Sequence, residues 1–378
     1  MLSVILPIRA EAGTAYLVDR LAACLRRFER CSGVECIVVD SASAPPLTTE
    51  IRRLCQRPRV TRVEDSSPAY PFAPGIARNL GAQAARGEFL LFYDVDLVSD
   101  EDFIPAIERW MAGATDPTSF LMIPCLYATK AASKILAGGP IDLAPYVASY
   151  LSGENHLIDN IAVSTSTVVV RRAHFLRLGG NRPEYQGHGC EDFDLLHRLA
   201  SYSPLGAKPA DYYLDERNRF PADYRGFRAY LARYSLPLLF DGPLTAHLWH
   251  PRPVVRKYFR QRQKNEALLQ DNMRAHDAGR PLPPPLPGVE VPPVPALPAP
   301  WSTTSPPPPP MREWIRELLV RTRHDPERAI GMTRWQPGVT KPHGSRRGKL
   351  KKLITRPRQF FEDSKHPVLR RIARILGP

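Results

Sequence analysis

The chain lacks any apolar run that approaches the roughly 20 residues of a membrane-spanning helix, so an integral membrane bundle is not expected. Cysteine is sparse, at positions 24, 31, 36, 55, 125 and 190, with no C-x-x-C and no paired spacing. That argues against a disulfide framework and for the reduced thiols of a cytoplasmic protein. The opening MLSVILPIR passes directly into polar residues without a small-residue cleavage site, so no secretory leader is expected. Two phosphate-binding signatures are also missing, G-x-G-x-x-G and G-x-x-x-x-G-K-[ST]. Their absence argues against a dinucleotide dehydrogenase and a P-loop ATPase.

What is present is unevenly spread. The chain has 378 residues and a formal net charge of +14, but residues 311–378 hold 18 Lys and Arg against 6 Asp and Glu. The first 310 residues are nearly balanced, so the basicity belongs to a tail. Between 281 and 310, 15 of 30 residues are proline, which reads as an extended spacer without a core. These shifts divide the chain into a globular part over 1–275, a Pro-rich linker over 276–310 and a basic amphipathic tail over 311–378.

The globular part is organised around PGIARNLGAQAARGEFLLFYDVDL, residues 74–97. Pro74 suits a first helical position, and Ile76, Ala77, Leu80, Gly81 and Ala84 recur at helical spacing. Phe89 to Tyr93 then read as a strand buried on both faces, which stops at Asp94-Val95-Asp96. In extended chain, i and i+2 share a side, so two carboxylates are expected to leave the strand end together. A divalent cation is their natural partner, against the plainer reading of a solvated acidic turn.

Before that stretch, Ser3 to Ile8 and Val34 to Val39 read as buried strands, with Arg9 just past the first and Asp40 at the end of the second. Leu17, Leu21, Leu25 and Phe28 mark a helix between them, and a helix near 47–56 and a strand near 59–63 follow. The repetition predicts a mostly parallel α/β sheet with flanking helices. Arg9, Asp40 and the Asp94/Asp96 pair would then meet at the carboxyl edge, where ligands collect. Beyond it, a helix near 101–112, a strand over Phe120 to Tyr127, a weak helix near 142–152 and a strand over Ser164 to Val170 are expected.

Two later runs carry chemistry. In QGHGCEDFDLLHRL (186–199) the glycines permit a tight turn, and Glu191 and Asp192 fall in the first turn of the following helix. Acids there also simply complement the helix dipole. An aromatic helix with Phe227, Tyr230 and Tyr234, and a short strand into Phe240, lead to TAHLWHPRP. His247 and His250 can converge in a turn, because Pro251 and Pro253 stop a helix, and imidazole suits Mn²⁺ when carboxylates complete the shell. Residues 254–275 look helical. In the tail, Leu350, Leu353 and Ile354 among Lys349, Lys351 and Lys352 form one basic stripe. Val368, Leu369, Ile372 and Ile375 beside Arg370, Arg371 and Arg374 form a second. Such segments lie on anionic membranes, and without a nucleic-acid motif or an aromatic ladder they favour membrane over nucleic acid.

Taken in order, the strand ending in Pro7 and Arg9, IVVD, ARNLGAQAARGEFLLFYDVDL, GHGCEDFDL and HLWHPR resemble the GT-A fold glycosyltransferases. The likeness covers roughly residues 1–270 and is strongest to bacterial family 2 enzymes and the beta-4-galactosyltransferase and chondroitin-polymerase groups. The resemblance implies an inverting transfer from a nucleotide-sugar donor, usually a UDP-sugar, with Mn²⁺ or Mg²⁺, to a glycan or lipid-linked glycan in surface or capsular polysaccharide assembly. It implies Asp192 as general base, with Glu191 holding the acceptor. Pro7, Arg9, Asp40, Arg78, Asp94 and Asp96 would meet the donor, and Asp96, His250 and then His247 the metal. His188 stands where those enzymes carry a tryptophan, so their sugar preferences do not transfer. The tail would place the protein on the inner face of the cytoplasmic membrane. The rivals are a sugar-1-phosphate nucleotidyltransferase, which wants a first loop rich in glycine and arginine with a conspicuous lysine, a pattern RAEAGTAY does not offer, and a GT-A-like adaptor without chemistry.

Overall fold

A computed structural model describes residues 1–65, 72–154, 156–187, 189–216, 220–251, 261–283 and 297–333, and a few positions between 350 and 361. His188, the middle of the Pro-rich segment, the second basic stripe and the lysines of the first lie outside the described residues. The chain opens with β1 (Leu2–Ile8), α1 (Tyr16–Glu29), β2 (Val34–Asp40), α2 (Pro45–Leu54), β3 (Val60–Glu64), α3 (Pro74–Ala84) and β4 (Phe89–Phe92). Then come β5 (Leu97–Val98), α4 (Phe103–Gly113), β6 (Phe120–Met122), β7 (Cys125–Ala128), α5 (Lys130–Gly138), α6 (Ala144–Ser152), β8 (Ile158–Ala162), β9 (Val168–Arg171) and α7 (Arg172–Arg177). The rest is α8 (Glu191–Tyr202), the short pair β10 (Asp215–Glu216) and β11 (Arg225–Gly226), α9 (Phe227–Ser235), α10 (Leu238–Asp241), β12 (Thr245–His247), α11 (Arg262–Asp277), α12 (Met311–Arg321) and α13 (Ile330–Thr333).

The main sheet has the order β3-β2-β1-β4-β9-β6. Its first four strands are parallel, as the β-α repetition predicts, and β9 runs antiparallel to both β4 and β6. Every residue of β1 and β2 is buried, because helices cover both faces of a parallel sheet. On one face α1 and α4 bring Leu21, Leu25, Phe28 and Ile107 against Val4, Leu6 and Val38. On the other, α3 and α8 bring Ala77, Leu196 and Leu199 against Ile5, Ile37 and Val39. Gly81 is required there, since a Cβ would stand 2.4 Å from the Ile5 side chain.

Phe120 to Tyr127 is not one strand. β6 pairs within the main sheet, while β7 joins a second sheet of order β5-β12-β7-β8. Pro124 sits at the break, where it has no N–H for a ladder and its carbonyl accepts from the Thr245 N–H at 3.2 Å. The strand expected into Phe240 is instead the single turn α10, because Pro237 holds φ at −58° and starts a helix. The strand of that region is β12, and it carries His247 to the second sheet.

Two stretches beyond residue 275 pack on the same body. Trp301 donates its indole N–H to Asp277 Oδ1 (2.6 Å) and lies 5.3 Å from the Tyr212 ring and 5.6 Å from the Tyr230 ring. Arg233 Nη2 donates to the Pro309 carbonyl (2.5 Å), and α12 buries Met311, Ile315, Leu318 and Leu319 in a third core with α6 and the second sheet. A proline-rich chain has no periodicity to announce such contacts. A single tryptophan and one amphipathic helix supply them.

Candidate active site

The parallel strands deliver their carboxyl ends to one edge. Pro7 lies within β1 opposite Val39, Ile8 is opposite Asp40, and Arg9 just beyond places Nε 3.3 Å from Glu11 Oε1. Asp40 is only 1% exposed. It accepts from the Ser43 N–H (3.2 Å), the Thr48 hydroxyl and Arg62 Nη2 (2.8 Å). Burial opposes its charge, but these donors outweigh burial and hold its carboxyl below the usual carboxylate range. Asp40 is thus a buried tie between β2, the 41–48 turn and Arg62 of β3.

Asp94 and Asp96 do not point the same way. β4 ends at Phe92, and the chain turns, with the Leu97 N–H donating to the Asp94 carbonyl (3.0 Å), so the alternation of an extended strand no longer applies. Asp94 goes to Arg78 Nη2 (3.1 Å) and the Ser166 hydroxyl (3.2 Å). Asp96 goes to Arg20 and faces the histidines, with Oδ2 at 3.6 Å from His250 Nε2 and 4.0 Å from His247 Nε2.

Arg78, on α3, is the hinge of the arrangement. It is buried, and its other nitrogen, Nη1, reaches Glu191 Oε1 at 3.2 Å. Glu191 opens α8, and the loop before it is wound tightly. Gly187 and Gly189 take φ of +72° and +89°, and Cys190 adopts +82°, a costly value for a residue with a side chain. Asn265 on α11 pays for part of that strain by donating to the Gln186 and Gly189 carbonyls, both at 3.0 Å. Burial first, and the neighbouring Asp192 second, push the Glu191 carboxyl up, and Arg78 only partly opposes them. Glu191 Oε2 is buried with no protein partner among the described residues. Asp192 is half-buried, its Oδ1 accepting from the Phe193 N–H (2.8 Å), and it is near enough to Arg78 to bias its charge alongside Asp94 and Glu191.

The second half of the site is a candidate metal centre. The ligand atoms of Asp96, His247 and His250 lie within 4.8 Å of one another. One carboxylate and two imidazoles form a donor set suited to Mn²⁺, and both rings are held: His247 against Tyr127 (4.8 Å, 23°) and His250 against Tyr16 (6.0 Å, 25°). The residues present therefore fit a divalent ion. Asp94 stands apart from this set, committed to Arg78. Of the residues expected from the sequence, Arg78, Asp94, Glu191 and Asp192 fall in one cluster and Asp96, His247 and His250 in the other. Ser166 and Arg20 are not among those expected; they carry no signal in spacing because each meets its carboxylate more than 70 residues away.

A second trio, His197, His276 and Asp277, also lies within 4.8 Å. There the carboxylate is already occupied by His197 Nε2 (3.1 Å), Tyr213 Oη (2.6 Å), Trp301 and the Lys208 ammonium, and the lysine charge opposes a cation. It fastens α8, α11 and the 297–310 segment.

A family model described as glycosyltransferase-like family 2 matches residues 3–275. Among curated proteins no sequence matches. Solved structures of similar shape include S. aureus TarS, at 16% identity over 52% of this chain and 54% of that one, TM-score 0.37. A mannosyltransferase from Pyrobaculum calidifontis, solved with GDP-Man and Mn²⁺, is 19% identical over 53% of this chain and 52% of its own, TM-score 0.35. Glucosyl-3-phosphoglycerate synthase from Mycobacterium tuberculosis, solved with Mn²⁺, UDP and its product, is 19% identical over 53% of this chain and 65% of its own, TM-score 0.33. The chain spans about half the length of the first two of these chains.

Proposed function

The chain belongs to the family 2-like glycosyltransferases, of GT-A fold, and we propose that within this family it catalyses an inverting transfer from a nucleotide sugar, expected to be a UDP-sugar. The acceptor is a hydroxyl of a glycan or lipid-linked glycan in surface or capsular polysaccharide assembly. The observation that carries this reading is the Arg78 fork. One guanidinium ties Asp94, at the end of the central strand, to Glu191, at the start of α8, and so sets a donor-side turn beside an acceptor-side helix.

In the reaction the acceptor oxygen attacks the anomeric carbon, the bond from that carbon to the diphosphate oxygen breaks, and its electron pair leaves with the nucleoside diphosphate. Asp192, the more accessible of the two acids, takes the acceptor proton. Glu191, held by Arg78, has one oxygen without a protein partner and orients the acceptor hydroxyls. Arg9, and Asp40 through the 41–48 turn, shape the nucleoside end beside Pro7. Asp96, His247 and His250 hold Mn²⁺ or Mg²⁺, which supplies electrostatic compensation for the departing diphosphate when bound.

Among the described residues no helix is long and apolar enough to cross a membrane. The two basic amphipathic stripes of the tail support its proposed role as the means of attachment to the inner face of the cytoplasmic membrane. The test of function is release of UDP from a panel of UDP-sugars with glycan acceptors and Mn²⁺. Asp96→Ala should weaken metal-dependent donor binding, and an unchanged affinity for UDP in Mn²⁺ would overturn the assignment.

A further inference from the structure

We propose that Arg20 of α1, a residue outside every motif of the site, is the positioning residue that presents Asp96 and the two histidines to one ion. The inference rests on the metal-centre reading above. Arg20 makes a double contact: Nη1 holds Asp96 Oδ1, and Nη2 donates to the Trp249 carbonyl at 2.9 Å. One planar fork thus ties the turn after β4 to the stretch from the end of β12 that carries His247 and His250, two segments about 150 residues apart in sequence. It also allots the carboxylate. With Oδ1 taken by the guanidinium, Oδ2 is the oxygen that faces His250 and His247.

The rest of α1 supports that placement. Tyr16, Arg20, Cys24 and Arg27 recur at three- and four-residue spacing and so share one helical face. The Tyr16 ring lies 4.7 Å from the Arg20 guanidinium carbon and 6.0 Å from the His250 ring, bridging the fork and the imidazole. Further along, Cys24 Sγ lies 3.8 Å from the Val95 carbonyl, and Arg27 Nη1 donates to Ser99 Oγ at 2.8 Å. On the other side, the Leu248 N–H donates to the Asp96 carbonyl (2.9 Å) and the Trp249 N–H to Ser133 Oγ (2.7 Å). The two segments are held in register, and the Arg20 side chain, which belongs to neither, touches both.

The sign of the effect separates this role from the alternative. A guanidinium beside a divalent ion repels it, so if Arg20 acted only through charge, or competed for Asp96, its removal would tighten metal binding. Positioning predicts the reverse, because outer-shell partners of ligating carboxylates typically contribute ~10–100-fold in metal affinity.

The experiment titrates Mn²⁺ into the full chain at saturating UDP and follows free Mn²⁺ by electron paramagnetic resonance. Wild type is compared with Arg20→Gln, Arg20→Lys, Asp96→Asn and the double variant, and thermal unfolding is measured for each. We expect Arg20→Gln to bind Mn²⁺ ~10–100-fold more weakly, with Arg20→Lys falling between it and wild type. The double variant should be no worse than Asp96→Asn alone. Equal or tighter binding by Arg20→Gln, with Asp96→Asn impaired, overturns the role of Arg20 and leaves the metal centre standing. Wild-type binding by Asp96→Asn overturns the metal centre itself. If Arg20→Gln fails to fold, Arg20→Lys decides, since it keeps the charge but reaches only one acceptor. Wild-type affinity in that variant refutes the proposal.

Discussion

Replacing Arg78 by methionine should destabilise the protein, and by an amount that depends on pH. Arg78 is buried between two acids of unequal exposure: the Glu191 side chain is 8% exposed and that of Asp94 43%. Water can take over at Asp94, so almost all of the deficit falls on Glu191. Removing one member of a buried pair typically costs about 3–5 kcal/mol, because the other charge is left uncompensated. Glu191 can avoid that cost by taking a proton, and burial with Asp192 nearby already raises its carboxyl above the ordinary value. The sign follows from linkage. A carboxyl raised in the fold contributes its full stability below its unfolded pKa and loses it as pH rises through the folded value. Without Arg78 the folded value rises further, so the gap between variant and wild type widens with pH. The expected loss is about 3–5 kcal/mol at pH 8.5. It should fall to about 1–2 kcal/mol near pH 5, the cost of an unmade hydrogen bond. Urea unfolding of both proteins at each pH reads it directly. Adding Glu191→Gln to the Arg78→Met variant should recover much of the loss at high pH. A deficit that is the same at both pH values, or one not relieved by Glu191→Gln, would refute the reasoning.

Three other outcomes are expected. Asp192→Asn should lower kcat by ~10²–10⁴ while leaving UDP affinity in Mn²⁺ unchanged, as single-turnover and equilibrium binding measurements would show. Gly81→Ala, which drives a Cβ to 2.4 Å from the Ile5 side chain, should cost about 1–3 kcal/mol in thermal unfolding through overpacking of α3 on the sheet. The full chain should sediment with vesicles containing anionic lipid and not with neutral ones, and replacing Lys349, Lys351 and Lys352 by Glu should weaken that binding by roughly 1 kcal/mol or more per residue.

The parts of the fold that were readable from sequence are those dictated by local rules. Continuous burial of β1, β2 and β4 follows from unbroken apolar runs, and the helical face of α3 from spacing within 11 residues. The parts that escaped depend on a single residue that acts at a distance or redirects the chain. Pro124 sends β6 and β7 to different sheets, and Trp301 holds a proline segment that has no pattern of its own. The candidate site shows the same division. Its acids and histidines are visible because carboxylates at strand ends and paired imidazoles are unusual locally. Their assignment to partners was hidden, because it is made by two arginines, Arg20 and Arg78, that stand on helices where a basic residue is commonplace. Spacing assigned Asp94 and Asp96 to one side, whereas the guanidiniums draw them to different ones. In the proposed transferase that separation has a use. Arg20 holds Asp96 before the two histidines of the candidate metal centre, while Arg78 draws Asp94 toward Glu191 and α8. Two guanidiniums thus divide acids only two residues apart between the two halves of the candidate site.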